Sequence, residues 1–401
     1  MDGIAPVMPE VDFGTDSLED LYERIAALRE AGHRVVPVRY IGETAWLLLR
    51  YEDVVAVFAD EARLPAADAY ERTGVPAMGR ILMAMRGDQH RLSRALAGGA
   101  LMPGAVRRAA ERLLLPTANA LIDALAGRTE TDLVVAYTRR YPFNIISLLL
   151  GVPVEDEDRL VGWLEKIIRL QWDREGAMAA REALDAYLRP LLAARRANPG
   201  DDMISQLVTA EVEGRKLDEE EVLSFLRLLY PAGAETTFLT MTALIYEILA
   251  DRALYDRLMA HPEDRPAAIE EALRKHAPAP LMPRFAERAT VIGGVEVPAG
   301  SMILCSGGAA NHDPAIFPEP EAFRLDRGTN RHATFGRGHH FCLGSHLARE
   351  ELRLSLDLLL GRLAGLRLAD DHPIRPAGTV VRGIRSLPVR FDAVLPAPGA
   401  A

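Results

Sequence analysis

The sequence predicts a mainly α-helical fold carrying small β-sheets. Apolar residues recur at helical spacing over most of the chain, whereas short β-branched runs gather near residues 35–50 and 290–306, with one more towards the C-terminus. Across 401 residues there is no Gly/Ser linker, low-complexity stretch or internal repeat. One large domain over 1–401 is therefore expected, with flexible ends at 1–16 and 395–401.

Taken in order, Leu18, Leu21, Ile25 and Leu28 mark a helix over 18–31, capped by Asp16 or Ser17 and stopped by Gly32. Val35–Tyr40 and 45–50 read as a hairpin around Ile41-Gly42-Glu43-Thr44, and a helix restarts at 54–58. Helical patterns follow at 88–97, 105–126, 133–150, 156–172, 176–196 and 218–250, broken near Pro103, Gly127, Pro153 and Pro199-Gly200. Strand-like segments return at Thr290–Ile292, Val295–Val297, 302–306 and 387–391, and a last helix covers 343–363. Pro231 lies inside the 218–250 pattern; it has no N–H and crowds the carbonyl of Arg227, which predicts a kink there.

A formal net charge of −10 argues against a nucleic-acid partner. Two cysteines, Cys305 and Cys342, cannot build a disulfide framework and fit a reducing cytoplasm. The first residues carry three acids and no basic n-region, unlike a signal peptide, and no apolar run approaches the ~20 residues of a membrane span. Against this acidic background, Arg327, Arg331, Arg337 and Arg349 fall in a stretch without a single acid, between Asp326 and Glu350. That basic island reads either as a solvated face or as a docking surface for an acidic protein.

Cys342 stands in Phe335-Gly336-Arg337-Gly338-His339-His340-Phe341-Cys342-Leu343-Gly344. Glycines at 336, 338 and 344 let the backbone turn tightly around the sulfur, and a helix begins directly afterwards. At a helix N-terminus, N–H groups and the helix dipole lower a thiol pKa, so a thiolate is expected at neutral pH, suited to metal ligation or nucleophilic attack. Cys305, in an apolar strand-like run, reads as core.

The loop resembles the haem-ligand loop of the cytochrome P450 family, Phe-Gly-x-Gly-x-His-x-Cys-x-Gly, at every fixed position. Ala232-Gly233-Ala234-Glu235-Thr236-Thr237, Glu271-Ala272-Leu273-Arg274, Ala310-Asn311-His312-Asp313-Pro314 and Phe317-Pro318-Glu319-Pro320 extend the resemblance, which runs from about Ser17 to about Val394. It implies helix-rich and sheet-rich lobes around a buried haem b, with Cys342 as iron ligand and Phe335, Gly336 and Gly344 shaping the loop. Ala232 and Gly233 would let the flat cofactor and dioxygen approach the backbone, while Glu235 and Thr236 relay protons for oxygen activation. His90 and Arg94, sharing a helical face, with Arg284 and His340, would anchor the propionates. Glu271, Arg274 and Arg327 would form a structural ion-pair network. Met83, Met85, Leu229, Thr237, Leu281, Met282, Val380 and Val381 would line the substrate pocket, together with Ala232 and Gly233, and Trp163, Ile167 and Leu170 would belong to a lid.

The implied activity is a cytoplasmic, monomeric monooxygenase that inserts one oxygen atom from O2 into a hydrophobic small molecule. Electrons would come from NAD(P)H through ferredoxin and ferredoxin reductase, because the chain carries no flavin or iron–sulfur domain of its own. Three alternatives stay open. A peroxide-using enzyme would usually lack the Glu235/Thr236 pair; a haem gas sensor would need neither proton relay nor redox partner; a zinc cluster of His340, Cys342 and His346 lacks paired-cysteine spacing.

Overall fold

In the computed structural model, which describes residues 5–370 and 373–397, the chain begins with a packed segment. Val11 and Phe13 are buried, and the Asp12 carboxylate accepts from the N–H groups of Gly14, Ile41 and Gly42. The flexible end expected at 1–16 therefore does not hold for residues 11–16, while residues 1–4 lie outside those described. At the other end Leu395 bonds to the Arg362 carbonyl and receives the Arg362 Nε in return.

Helix α1, Leu21–Glu30, starts later than expected, behind Asp20. Strands β1, Val35–Tyr40, and β2, Glu43–Leu48, form the hairpin, but its loop is only Ile41 and Gly42, at φ 53° and 78°. Two positive φ values match the twist of a two-residue hairpin turn. A β-branched residue resists that conformation, and the Asp12 carboxylate holds it by taking both N–H groups.

Next come α2, Tyr51–Ala59, α3, Ala67–Thr73, α4, Val75–Met78, and α5, Gly87–Gly98. Pro103 opens a helix rather than breaking one, α6 at Pro103–Ala109, because the missing N–H at a first position has no partner to lose. The single helix expected over 105–126 is split by a π turn, Ala110–Leu114, before α7, Leu115–Asp123. A short strand β3, Glu130–Asp132, and a second π turn, Val134–Thr138, precede α8, Arg140–Leu150. Pro116 and Pro142 explain both π turns: each leaves the carbonyl four residues back, at Arg112 and Thr138, without its helical donor, and the ladder shifts there.

Helices α9, Glu157–Ile168, α10, Arg174–Ala197, and α11, Met203–Thr209, lead to α12, Glu219–Ala250. Asp218 and Glu221 close a capping box at its start, and the helix continues through Pro231 to Ala250. It touches α8, α9, α10 and α11. It also packs against α13, Arg252–Ala260, and α14, Arg265–Lys275.

The sheet-rich part adds β4, Leu281–Ala286, β5, Thr290–Ile292, β6, Val295–Val297, and β7, Ser301–Ser306. Strand order in the largest sheet is β1-β2-β7-β4, with β2 and β7 parallel, and β5 pairs with β6. Cys305 is fully buried in β7, and burial pushes its thiol up to about 12. After α15, Gly307–Asn311, comes α16, Ser345–Arg362, which begins three residues after the loop cysteine and packs on α12 and α14. Four short strands close the chain: β8, Leu363–Ala364, β9, Arg367–Leu368, β10, Pro388–Arg390, and β11, Ala393–Val394. They form β3-β10-β9 and β11-β8. The helices share the main apolar core, while two smaller clusters cover the faces of the four-stranded sheet. Among the described residues no helix is long and apolar enough to cross a membrane.

Candidate active site

The cysteine loop is built by backbone geometry and held from α14. Gly336 and Gly338 have φ of 65° and 68°, and a Cβ on Gly338 would press to 3.0 Å of the Phe58 carbonyl, so the loop needs glycine at both. Gly344 differs: it caps α16 at φ −84° with open space around it, so the turn itself does not demand glycine there. The Cys342 N–H donates to Phe335 O (2.9 Å), and Arg94 Nη2 to Phe341 O (2.6 Å). Behind the loop, Glu271 and Arg274 have no exposed surface. Arg274 donates to both Glu271 oxygens (2.8 and 2.9 Å), and Arg327 Nε to Oε1 (2.7 Å). Thr334 and Ala333 are tied by Leu273 O and Asn311 Oδ1 to the same layer.

Cys342 Sγ faces a cavity of about 260 Å³. Burial pushes its thiol up; N–H groups of Gly344 and Ser345 and the charges of Arg94 and Arg349 pull the other way without prevailing. The helix start thus offsets only part of what burial in a protein wall does to the sulfur. Opposite it, α12 contributes Leu229, Ala232, Gly233, Thr236 and Thr237, joined by Phe225, Leu228 and Thr240. Gly233 serves packing as well: a Cβ there would lie 2.6 Å from Ile146 Cδ1 on α8.

Of the remaining pocket residues expected from sequence, Met83 and Met282 line the cavity. Met85 and Leu281 are instead core, and Val380 and Val381 stand outside the lining. The alternation of β4 explains one pair, since adjacent residues on a strand face opposite ways. Ile167 and Leu170 are buried in the helical core and Trp163 packs on Tyr187, so none of the three borders the cavity. Tyr70, Phe225, Leu228, Thr240 and Arg337 are lining residues that the sequence reading missed. Phe225 and Thr240 were discoverable, four residues before Leu229 and four after Thr236 on one helical face.

Thr236 and Glu235 point differently. Thr236 reaches the cavity with its Oγ1 bonded to Ala232 O (2.7 Å), whereas Glu235 turns away to Arg385 Nη2 (2.9 Å). A second carboxyl, Glu351 on α16, is fully buried with neither oxygen hydrogen-bonded, and burial holds its pKa well above the usual range. Thr237 is the counterweight beside it, although its hydroxyl donates to Gly233 O.

The cationic end of the cavity decides whether a haem fits. Arg94, Arg284, Arg337 and His340 line it, and His90 lies next to it, its ring 4.6 Å from that of His340. Arg284 Nε, Arg337 Nε and both His90 nitrogens are buried without partners, an arrangement that calls for an anion. Burial first, then His340, His339 and Arg94, depress His90 to about 4. His340 Nε2 is 3.2 Å from Glu61 Oε1 but out of line for a hydrogen bond. A soft sulfur on one wall, an apolar slot and basic side chains with unpartnered nitrogens fit a flat iron porphyrin with two carboxylates. Among the described residues no three His, Cys, Asp or Glu side chains converge to hold a metal ion, which leaves the His340, Cys342 and His346 zinc alternative without a geometry.

The basic island is largely spent on internal contacts. Arg327 is taken by Glu271, Arg349 by Glu270 (2.6 and 3.0 Å) and the Phe335 ring, and Arg337 by Tyr51 Oη (2.8 Å) and Arg331 O. Arg331 alone of the four is exposed with no ion pair among the described residues.

Comparison with known proteins gives the family. The family model for cytochrome P450 matches residues 266–381. The mycinamicin IV hydroxylase/epoxidase of Micromonospora griseorubida is 36% identical over 361 residues, covering 87% of this chain and 90% of its own. The steroid C26-monooxygenase of Mycobacterium tuberculosis is 39% identical over 282 residues, 68% of this chain and 76% of its own. Among solved structures, cytochrome P450 CYP109Q5 from Chondromyces apiculatus superposes with a TM-score of 0.86 at 28% identity, covering 96% of this chain and 99% of that one. The chain therefore belongs to the cytochrome P450 family, monooxygenases that bind haem b through a cysteine thiolate.

Proposed function

We propose that this P450 inserts one oxygen atom from O2 into a hydrophobic small organic molecule, by hydroxylation or epoxidation, using electrons delivered from NAD(P)H by ferredoxin and its reductase. The observation that carries this reading is the cavity itself: Cys342 on one wall, Thr236 on the other, and an apolar lining of Leu82, Met83, Phe225, Leu228, Leu229 and Met282 between them. Such a lining holds a substrate by shape and by excluding water. Two relatives, named mycinamicin IV hydroxylase/epoxidase and steroid C26-monooxygenase, support a bulky apolar substrate class.

When bound, the haem supplies the iron at which dioxygen is activated. Cys342 Sγ would ligate that iron and donate electron density to it. His90, Arg94, Arg284 and His340 would hold the propionates, with Arg337 adding a fifth basic group at the same end. Thr236 Oγ1 would release the Ala232 carbonyl and offer its proton to the cavity. Glu235, next in sequence and joined to the half-exposed Arg385, would replenish that proton from solvent. A second reading assigns the supply to Glu351, favoured because its carboxyl is fully buried beside Thr237, with its pKa raised by that burial, whereas Glu235 faces away from the cavity.

Ferredoxin would dock where the cysteine lies nearest the surface. An open groove of about 520 Å³ between α5 and the loop is bordered by Arg91, Arg94, His339 and Met102. Met102 is 57% and Phe341 40% exposed, an apolar centre of the kind interfaces use. A direct test is turnover with purified ferredoxin, reductase and 18O-labelled dioxygen against a panel of macrolides, steroids and fatty acids. One labelled oxygen in a product supports the proposal; NAD(P)H oxidation without labelled product from any apolar compound refutes it.

A further inference from the structure

The segment 76–80 approaches α10 and α12 more closely than any side chain but glycine allows. Gly79 has φ +83°, and a Cβ there would collide with Ser224 Oγ, Arg227 Nη1 and Glu220 Oε1. Three hydrogen bonds use that proximity. Arg227 Nη1 donates to Met78 O (2.7 Å), Arg181 Nη1 to Pro76 O (3.0 Å), and the Arg80 N–H to Ser224 Oγ (2.9 Å).

Arg227 is the centre of this arrangement and has no exposed surface. Its Nε donates to Asp185 Oδ1 on α10 (2.8 Å), and its Nη2 to both Glu220 oxygens on α12 (3.0 Å each). Arg181 on α10 closes the ring by donating to Glu220 Oε1 (3.0 Å). One buried guanidinium thus joins α12, α10 and the 76–80 segment. The residues next to it on both sides border the cavity: Leu228 and Leu229 follow Arg227, and Leu82 and Met83 follow Arg80.

The Arg227–Asp185 pair is buried, while Glu220 and Arg181 reach the surface, so the buried pair brings desolvation costs that well-packed hydrophobic residues would avoid and is a weak source of stability but a constraint on position. We propose that Arg227, with Asp185, Glu220 and Gly79, is a clamp that fixes Leu82 and Met83 over the cavity, controlling entry of bulky molecules and the orientation in which they are held. Arg227 is accordingly a positioning residue. The inference rests on the cavity being the substrate site.

Losing a hydrogen bond from a charged donor shifts a closed-to-open equilibrium by about tenfold or more, and apparent binding rates follow the open fraction. The test uses the haem-loaded parent, Arg227→Met, Arg227→Lys and Gly79→Ala. Binding of imidazole and of the much larger clotrimazole is followed by stopped-flow absorbance, and trypsin cleavage at Arg80 and Arg86 is timed alongside. Expected are clotrimazole association and cleavage both about tenfold faster in Arg227→Met and Gly79→Ala, imidazole binding within about twofold of the parent, and partial recovery in Arg227→Lys. Gly79→Ala decides the matter if Arg227→Met does not fold. Unchanged clotrimazole rates and cleavage in Gly79→Ala overturn the clamp. Failure of imidazole to bind the parent instead overturns the reading of the cavity, a separable outcome.

Discussion

Glu271→Gln is predicted to cost about 3–5 kcal/mol of stability and most of the haem content. The carboxylate accepts from Arg274 Nε and Nη2, Arg327 Nε, the Arg324 N–H and Asn330 Nδ2. An amide of the same shape removes the charge and turns a donor towards these donors. Arg274, with no exposed surface, and Arg327, 7% exposed, must then share the one uncharged amide oxygen, their other acceptors being backbone carbonyls such as Asn311 O, Ala322 O and Pro318 O. Breaking one side of a buried ion pair costs about 3–5 kcal/mol because a charge is left uncompensated. That is a large share of the 5–15 kcal/mol typical of a whole protein. The same layer pins 330–334, so the cysteine loop loses its support before the rest of the fold does. Urea unfolding followed by circular dichroism, with haem content measured on the same samples, gives the number. Glu350→Gln is the control: its partner Arg353 is 45% exposed, and the pair is worth about 0–1 kcal/mol. If Glu271→Gln matches the parent within about 1 kcal/mol and retains full haem, the claim that this buried cluster holds the loop is wrong.

Thr236→Ala should uncouple the enzyme, releasing hydrogen peroxide while product per NAD(P)H falls, with proton delivery of this type contributing about 10²–10⁴-fold; an unchanged ratio excludes the hydroxyl. In the same assay Glu235→Gln and Glu351→Gln separate the two proton sources, since only the true donor slows turnover. Arg91→Glu, at the border of the groove beside α5, should slow reduction by ferredoxin at low salt and lose its effect at high salt, with substrate affinity unchanged, because exposed charges are screened beyond ~10 Å at 0.1 M; salt-independent slowing argues against docking there. Acid stability should depend on Glu270 and Glu247. Burial alone would raise both, but His332 and Arg349 hold Glu270, and His276 and Lys275 hold Glu247, at about 2 rather than 4.5. Carboxylates with depressed folded-state pKa values stabilise fully above pH ~5, and that contribution is lost as pH falls towards ~2. Glu270→Gln should therefore flatten the unfolding-midpoint profile over that window, and an unaltered slope contradicts it.

Long helices were legible in the sequence, as the 218–250 pattern against α12 at Glu219–Ala250 illustrates, because periodicity is a local signal; the cap was not, since α1 begins behind Asp20 rather than Asp16 or Ser17. Elements such as α3, α4 and α11 were not read, since seven residues or fewer give too short a period. The π turns escaped for the opposite reason: Pro116 and Pro142 are visible, but whether a proline ends a helix or merely shifts its ladder depends on tertiary packing. At the site, motif residues gathered as the family resemblance implied, including Cys342, Arg94, Arg284 and Thr236 around one cavity. Side-chain direction was not legible. Glu235 and Thr236 are adjacent yet face opposite ways, and two arginines of the basic island, Arg327 and Arg349, are paired by acids distant in sequence, Glu271 and Glu270. Cys342 teaches the same lesson: a helix start suggests a lowered thiol pKa, but burial, a property of the whole fold, outweighs it.

The central claim, a haem held by one cysteine thiolate, is tested most directly by the absorption spectrum of the reduced protein under carbon monoxide. The parent and Cys305→Ala should both give the red-shifted Soret band of a thiolate-ligated carbonyl haem, and Cys342→Ala should lose it. A parent without that band, or a Cys342→Ala protein that keeps it, would contradict the account.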